Sequence, residues 1–257
     1  TTDMLHESTD FPAGTTRYTA GWRSVAASLS DLAAMGAVPT AAVAAYADEA
    51  FLDHELRAFV DGARAVCEAV GTEYVGGDLD HHSEFTVATT AVGDVDQPVF
   101  RSGARTDDRV CVTGTVGRSA AALALFDRGE TERANELFQF TPRIEAGRRV
   151  AGTATAMMDS SDGLARSLHQ LAEASDCGFA ITRDSVPIDA AVDTVDIDRW
   201  EAGVHFGEDF ELVFTIPEAA LSAVETDVPI TVIGRVTDSE AGVTVDGEPL
   251  ADRGYTH

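Results

Sequence analysis

The chain has 257 residues, enough for one large or two modest domains with ample core. Its formal net charge is −26, all 18 basic residues are arginines, and lysine is absent. That balance excludes a Walker A loop and a protein-kinase strand lysine, and it argues against nucleic acid or an anionic membrane as partner. It reads as a surface adapted to high salt, where self-repulsion is screened.

Cys67, Cys111 and Cys177 are isolated and fit no metal-ligand spacing, so they read as core residues of a reduced, cytoplasmic protein. No G-x-G-x-x-G fingerprint, signal-peptide pattern or membrane-length apolar run occurs.

The first residues, Thr1-Thr2-Asp3, read as the end of a strand, so a segment is expected upstream. Small residues at helical spacing predict a helix over 20–35, with Gly36 as C-cap. Asp31 lies within it, beside Ala27 and Ala34, as an acid on a close-packed stripe that wants a cation partner. Residues 41–47 alternate as a strand, and 56–70 repeat at helical spacing up to Gly71. Tyr74-Val75 leads into Gly76-Gly77-Asp78, read as a turn. His81-His82 beside Asp80 reads as a solvated loop, because adjacent residues point apart. Residues 85–95 form a second strand; its alternating apolar faces, like those of 41–47, have few helices to cover them. Residues 97–108 are polar, contain Pro98 and Gly103, and form the best linker candidate. Arg101 within it could pair with a phosphate or stay solvated.

Beyond the linker, 110–113 predict a buried strand, and Gly114-Thr115-Val116-Gly117 a turn into a helix over 119–127. Residues 130–150 read as charged helix broken at Thr141-Pro142, and 154–158 as a strand delivering Asp159. Asp159-Ser160-Ser161-Asp162-Gly163 then enters a helix over 163–174. Free backbone N–H groups there attract phosphate, and an Asp can hold a bridging Mg²⁺. An ordinary N-cap explains one of these acids but not both. Strands at 179–182, 212–216 and 230–236, a helix at 217–224 and a hairpin at 243–250 complete the chain. In Gly207-Glu208-Asp209-Phe210-Glu211, Glu211 is expected to face solvent, leaving Glu208 or Asp209 as ligands or substrate contacts. The fold class is α/β (α+β), with two domains, residues 1–104 and 105–257.

Asp3, Asp31, Asp78, Asp159 and Asp162 all sit among glycines or small residues and are expected to converge on one cleft. Gathered carboxylates repel unless cations sit between them, and Mg²⁺ is the usual remedy. Taken singly, a turn carboxylate is the simpler reading of Asp3 and of Asp78.

These segments, in this order, resemble the thiamine-monophosphate kinase family, within the superfamily that includes aminoimidazole ribonucleotide synthetase. The matching stretches include Thr2-Asp3-Met4-Leu5, Ser30-Asp31-Leu32-Ala33-Ala34-Met35-Gly36, Gly76-Gly77-Asp78, Arg101-Ser102-Gly103-Ala104 and Thr141-Pro142-Arg143. They continue with Asp159-Ser160-Ser161-Asp162-Gly163-Leu164, Asp176-Cys177-Gly178, Gly207-Glu208-Asp209-Phe210-Glu211-Leu212 and Gly254-Tyr255. The resemblance implies ATP-dependent phosphorylation of thiamine monophosphate, with Thr1, Thr2, Asp3, Asp31, Asp78, Asp159 and Asp162 holding several Mg²⁺ ions. Asp159 and Asp162 are the expected catalytic acids. Gly77, Arg101 and Ser161 would contact ATP, and Glu208 and Tyr255 the thiamine end. Asp10 stands where the bacterial pattern has a substrate-facing histidine. The family also carries a Gly-Asp-Asp segment upstream of the Thr-Asp strand, outside this sequence. The implied fold is the two-domain aminoimidazole ribonucleotide synthetase-like one, a homodimer formed through the N-terminal sheet. Two alternatives stay open: another ATP-dependent synthetase of the superfamily, or a non-catalytic ATP- or divalent-ion-binding dimerisation module.

Overall fold

A computed structural model describes residues 1–254. In the N-terminal part, β1 (Thr2–His6), a short α1 (Glu7–Asp10), α2 (Arg17–Ala34), β2 (Val38–Asp48), α3 (Asp53–Ala69), β3 (Tyr74–His81) and β4 (Thr86–Asp94) follow in order. They build a four-stranded sheet ordered β1-β4-β2-β3. β4 is antiparallel to both β1 and β2, matching Leu5 to Val87 and Ala44 to Thr89, while β3 lies parallel to β2 at the edge. In the C-terminal part come β5 (Arg109–Thr113), α4 (Arg118–Asp127), α5 (Thr131–Phe138), α6 (Ile144–Ala151), β6 (Ala156–Asp159), α7 (Leu164–Ser175) and β7 (Cys177–Ile181). A π-helical turn (Glu201–His205), β8 (Leu212–Ile216), a one-turn α8 (Glu218–Leu221), β9 (Ile230–Asp238), β10 (Val243–Val245) and β11 (Glu248–Pro249) complete it. The second sheet is mixed, with order β11-β10-β7-β9-β5-β8-β6.

Three local readings change. Thr1–Asp3 opens a strand instead of closing one, and Gly76–Asp78 lies inside β3 instead of in a turn. His81 ends that same strand. The glycines misled because they break strand propensity. Here glycine is needed by the pairing itself: a Cβ on Gly77 would stand 1.8 Å from the Ala44 carbonyl oxygen across the ladder.

Helix α2 lies between the two sheets. Thr16 caps it by accepting from the Thr19 N–H, and Gly36, at φ +72, ends it in the left-handed conformation. Fourteen of its 18 residues are buried. Val25, Leu29 and Ala33 share one core with Val66 and Cys67 of α3, Ile144 and Val150 of α6, and Met157, Leu212 and Phe214 of the second sheet. Such closeness requires small residues at the crossings. A Cβ on Gly21 would meet the Phe59 carbonyl oxygen at 2.0 Å, one on Gly62 the Tyr18 oxygen at 2.0 Å, and one on Gly147 the Ala33 oxygen at 2.2 Å.

The sheet face turned away from α2 and α3 carries Met4, Val43, Val92 and the small Ala45 and Ala88. Met4 is 62% exposed and Val92 52%. None of the described helices is long and apolar enough to cross a membrane.

Replacing Gly62 by alanine tests the crossing. Alanine alone favours an exposed helix by about 1 kcal/mol, yet here it forces two backbones apart. Gly62→Ala is therefore expected to destabilise by roughly 1–3 kcal/mol in urea unfolding at constant high salt.

Candidate functional site

The last two turns of α2 carry three polar side chains on a mostly apolar helix, and each is answered by another element. Ser28 Oγ donates to Asp3 Oδ2 at 2.5 Å, Ser30 Oγ to Asp159 Oδ2 at 2.7 Å, and Asp31 Oδ2 accepts from the Thr1 hydroxyl. Thr1, Asp31, Arg101 and Asp159 line one cleft of about 490 Å³, floored by Met35, Met157 and Met158. Asp159 is 3% exposed and also accepts from Ser161 Oγ at 3.1 Å. Burial pushes its carboxyl up to about 6; Asp31 adds to that, while the Ser30 and Ser161 hydroxyls and Arg101 oppose it.

The antiparallel pairing of β6 with β8 sets Asp159 opposite Leu212, which brings the segments 159–163 and 207–211 together. Their backbones are laced. Ser160 N–H donates to the Glu211 carbonyl at 2.8 Å, Glu211 N–H to Ser160 Oγ at 3.0 Å, and Glu208 N–H to the Ser161 carbonyl at 2.7 Å. A Cβ on Gly207 would fall 2.6 Å from that same Ser161 oxygen. Asp162 does not cap α7: the N-cap is Gly163, with no side-chain cap bond, and Asp162 accepts at 3.4 Å from Gln170 Nε2. From the other side, a Cβ on Gly254 would stand 2.1 Å from the Asp162 carbonyl oxygen.

Glu211 is the main correction. Expected at the surface, it is 1% exposed, held by both Arg143 Nε at 2.7 Å and Arg143 Nη2, and by Thr113 Oγ1 at 2.6 Å. It faces inward because Ser160 fixes its N–H and carbonyl in register with β6. Asp209 is buried as well, accepting from the Gly117 and Ser119 N–H groups. Desolvation drives its pKa up to about 7 against those two bonds. Gly114 and Gly117, in the turn before α4, thus serve the carboxylates of this segment: a Cβ on Gly114 would collide with Glu211, and the Gly117 N–H donates to Asp209.

Glu208 is pinned by Arg23, which sequence reasoning missed. Arg23 Nη2 donates to Glu208 Oε2 at 2.7 Å and to its carbonyl at 2.9 Å, and Nη1 donates to the Phe138 carbonyl at 2.8 Å. The available signal was one cation between Ala20 and Ala27 on a buried helical stripe. Asp10 accepts from His6 N–H at 2.7 Å, and its charge reaches Arg23, which places it on the Glu208 side.

The expected convergence of five aspartates is therefore partial. Asp31 and Asp159 share the cleft with Thr1, and Asp3 hangs from Ser28 one turn back. Thr2 bonds Thr90 across β1–β4 at 2.8 Å. Asp78 sits on edge strand β3, paired with Ala45 on the exposed sheet face, whereas Asp3 faces α2. β1 and β3 are the two opposite edges of the sheet, with β4 and β2 between them, and Asp78 is not among the residues that line the cleft. Tyr255 lies outside the described residues. No group of three or more His, Cys, Asp or Glu among the described residues could hold a metal alone. The oxygen donors in the cleft still suit Mg²⁺, a hard cation that takes one or two carboxylates and completes its shell with water and substrate phosphates. The cysteines fit neither role: burial pushes Cys67 and Cys111 up to about 12, as for inert core thiols.

Two family models cover this architecture: the AIR synthase related protein N-terminal domain matches residues 1–95, and its C-terminal domain residues 105–246. The two sheets and their helices are those of an AIR synthase-related fold. Within it the chain belongs to the thiamine-monophosphate kinase family. It is 63% identical to the thiamine-monophosphate kinase of Halobacterium salinarum, covering 100% of this chain and 90% of that protein. Against the Methanospirillum hungatei thiamine-monophosphate kinase the identity is 43%, over 100% of this chain and 87% of the other. A solved structure, AaThiL complexed with AMPPCP and TMP, superposes with a TM-score of 0.90 at 28% identity, covering 100% of this chain and 86% of that one.

Asp159 yields a pH prediction. Its folded pKa of about 6 lies above its ordinary value of 3.8, so between those values the folded state binds more protons than the unfolded chain. Metal-free stability must then fall as pH rises through that window, by roughly 3 kcal/mol at most. In chelator at constant salt, Asp159→Asn is expected to raise stability at about pH 7.5 and to shrink the gain the parent shows on acidification to about pH 5. Urea midpoints at the two pH values check this; the contribution of Asp209 survives in the variant.

Proposed function

We propose that this chain transfers the terminal phosphoryl group of ATP directly to the phosphate of thiamine monophosphate, giving thiamine diphosphate, with Mg²⁺ ions held at the Asp31–Asp159 cleft. The observation that carries the reading is full-length identity of 63% to a thiamine-monophosphate kinase, joined to a cleft that sets two carboxylates beside an arginine. The AMPPCP in the AaThiL structure is an ATP analogue, which supports ATP as donor.

In this reading Asp31 and Asp159, with Thr1, Asp3 and Asp162 around them, hold the metal. Bound Mg²⁺ supplies charge neutralisation of the polyphosphate, which a chain without lysine cannot otherwise concentrate. Arg101 enters the cleft from the 97–108 linker and pairs with a phosphate oxygen of the nucleotide. Ser161, tied to Asp159, presents the entry of α7 to phosphate. Glu208 and Asp10, on the opposite flank, orient the thiamine end. Protein general-base catalysis is unnecessary, because the acceptor oxygen belongs to a phosphate already ionised at neutral pH. Positioning and electrostatics then carry most of the rate.

The same reading makes the protein a homodimer through the exposed face of its four-stranded sheet. Met4, Val43 and Val92 lie uncovered there, and Asp78 and Gly77 on β3 would act from that margin of the assembly. A charge of −26 per chain opposes association unless salt screens it. Light scattering at multimolar salt is expected to show a dimer; a monomer there would overturn this part.

Turnover of ATP with thiamine monophosphate as acceptor tests the function itself, against aminoimidazole-type substrates as controls. Asp162→Asn sharpens it. With Gly163 as the N-cap, the substitution is expected to leave the metal-free melting temperature unchanged or higher, since it relieves repulsion among acids. Phosphoryl transfer is expected to fall on the order of a hundredfold. Retained turnover would remove Asp162 from the site.

A further inference from the structure

Arg23 is an expensive residue for its position. It is 1% exposed, its Nε is buried without a hydrogen-bond partner, and desolvation lowers its pKa against the pull of Glu208, Asp209 and Asp10. An apolar side chain of similar volume often serves stability as well as a buried ion pair does. The guanidinium stacks on Phe138, with its carbon 3.7 Å from the ring centroid, beside the parallel Phe140–Phe210 pair. Nη1 holds the Phe138 carbonyl, and the short bonds of Nη2 both run to Glu208, its carbonyl and its carboxylate.

Glu208 is held with unusual completeness. Its N–H goes to Ser161, its carbonyl accepts from Arg23 and from Ser119 Oγ at 2.6 Å, and its Oε2 accepts from Arg23. The backbone is at φ +62, and Phe210 two residues on is at φ +54, conformations that side-chain-bearing residues seldom adopt without enforcement. After all this its side chain remains 28% exposed. One carboxylate oxygen is fixed by the Arg23 guanidinium, and the side chain still keeps part of its surface open.

We propose that Arg23 is a positioning residue for acceptor recognition: it aims Glu208 and cancels its charge, so that Glu208 reads an N–H donor of the thiamine aminopyrimidine by geometry and not a cation by net charge. The inference rests on the proposed kinase reading and adds to it a residue and a chemical selectivity. An unpaired carboxylate would attract any cation, including the salt ions this acidic surface gathers. A carboxylate already paired with Arg23 gains little from a second cation and most from a well-placed hydrogen-bond donor.

The test compares the parent with Arg23→Lys and Glu208→Gln in multimolar salt, using ATP with thiamine monophosphate or oxythiamine monophosphate, in which the pyrimidine amino group is replaced by oxygen. Lysine keeps the charge but cannot span Phe138 and both Glu208 oxygens. Arg23→Lys is expected to raise KM for thiamine monophosphate about tenfold or more, the scale of one charged hydrogen bond, with KM for ATP and kcat within about threefold of the parent. The parent's preference for the amino compound should shrink in both variants. The double variant should be no worse than Glu208→Gln alone, because Arg23 acts through Glu208. An unchanged acceptor KM and preference in a folded Arg23→Lys would overturn the inference, as would both substrates' KM values and kcat worsening together with the melting temperature. If Arg23→Lys does not fold, Glu208→Gln decides: an unaltered preference for the amino compound overturns the inference. Absence of thiamine monophosphate turnover in the parent overturns the kinase reading, and this inference with it.

Discussion

The structure depends on a helix with almost no solvent face. α2 is buried along most of its length between two sheets, so the polar groups it buries must be matched, either within the helix or by another element. Ser24 bonds back to Ala20 within the helix, Ser28 reaches β1, Ser30 reaches β6, and Arg23 reaches the 207–211 segment. The helix thereby sets the distance between the Asp31–Asp159 cleft and the Glu208 flank. Two turns separate Arg23 from Asp31, roughly 12 Å along the axis. In the kinase reading, one rigid rod spaces the nucleotide's phosphates from the acceptor's thiamine end.

Electrostatics divides the molecule into two regimes. Surface pairs such as Arg57–Asp53 and Arg64–Glu68 are exposed on both sides and contribute little, least of all in high salt. The inward-facing acids Asp159, Asp209, Glu208 and Glu211 are each tied to a specific donor. Two of these ties are arginines, Arg23 and Arg143, and both grip through more than one bond, as a planar fork can and an ammonium cannot. The absence of lysine is therefore felt inside as well as outside: each buried cation also fixes a geometry.

Glycine carries a comparable load in the site. Gly207, Gly163 and Gly254 are sites of backbone contact between the 159–163 loop and its two neighbours, and Gly21, Gly62 and Gly147 let helices touch. A family pattern rich in Asp-Gly and Gly-Asp then has two separable causes. In the kinase reading the acids answer to ligands, and many of the glycines answer to packing.

The periodicity of the chain determined most of the elements by itself, because burial of one face imposes a period of two or 3.6 on any strand or helix. It also singled out Asp31 and Asp159, since an acid embedded among alanines, methionines and serines departs from the solvated pattern of the other acids. The nature of the Glu208–Glu211 segment was decided only by tertiary structure. Alternation assigned Glu211 to solvent, but the β6–β8 register and Arg143, 68 residues away in sequence, turn it inward. The partner of Glu208, Arg23, is 185 residues distant. Asp78 shows the converse: its motif matches those of the cleft acids, yet strand order puts it on the far edge of the sheet, and its pairing with Ala45 puts it on the exposed face. Local sequence records which side chains prefer burial or water. Which buried charge meets which partner depends on strand register and helix crossing, and those are settled only when the whole core closes.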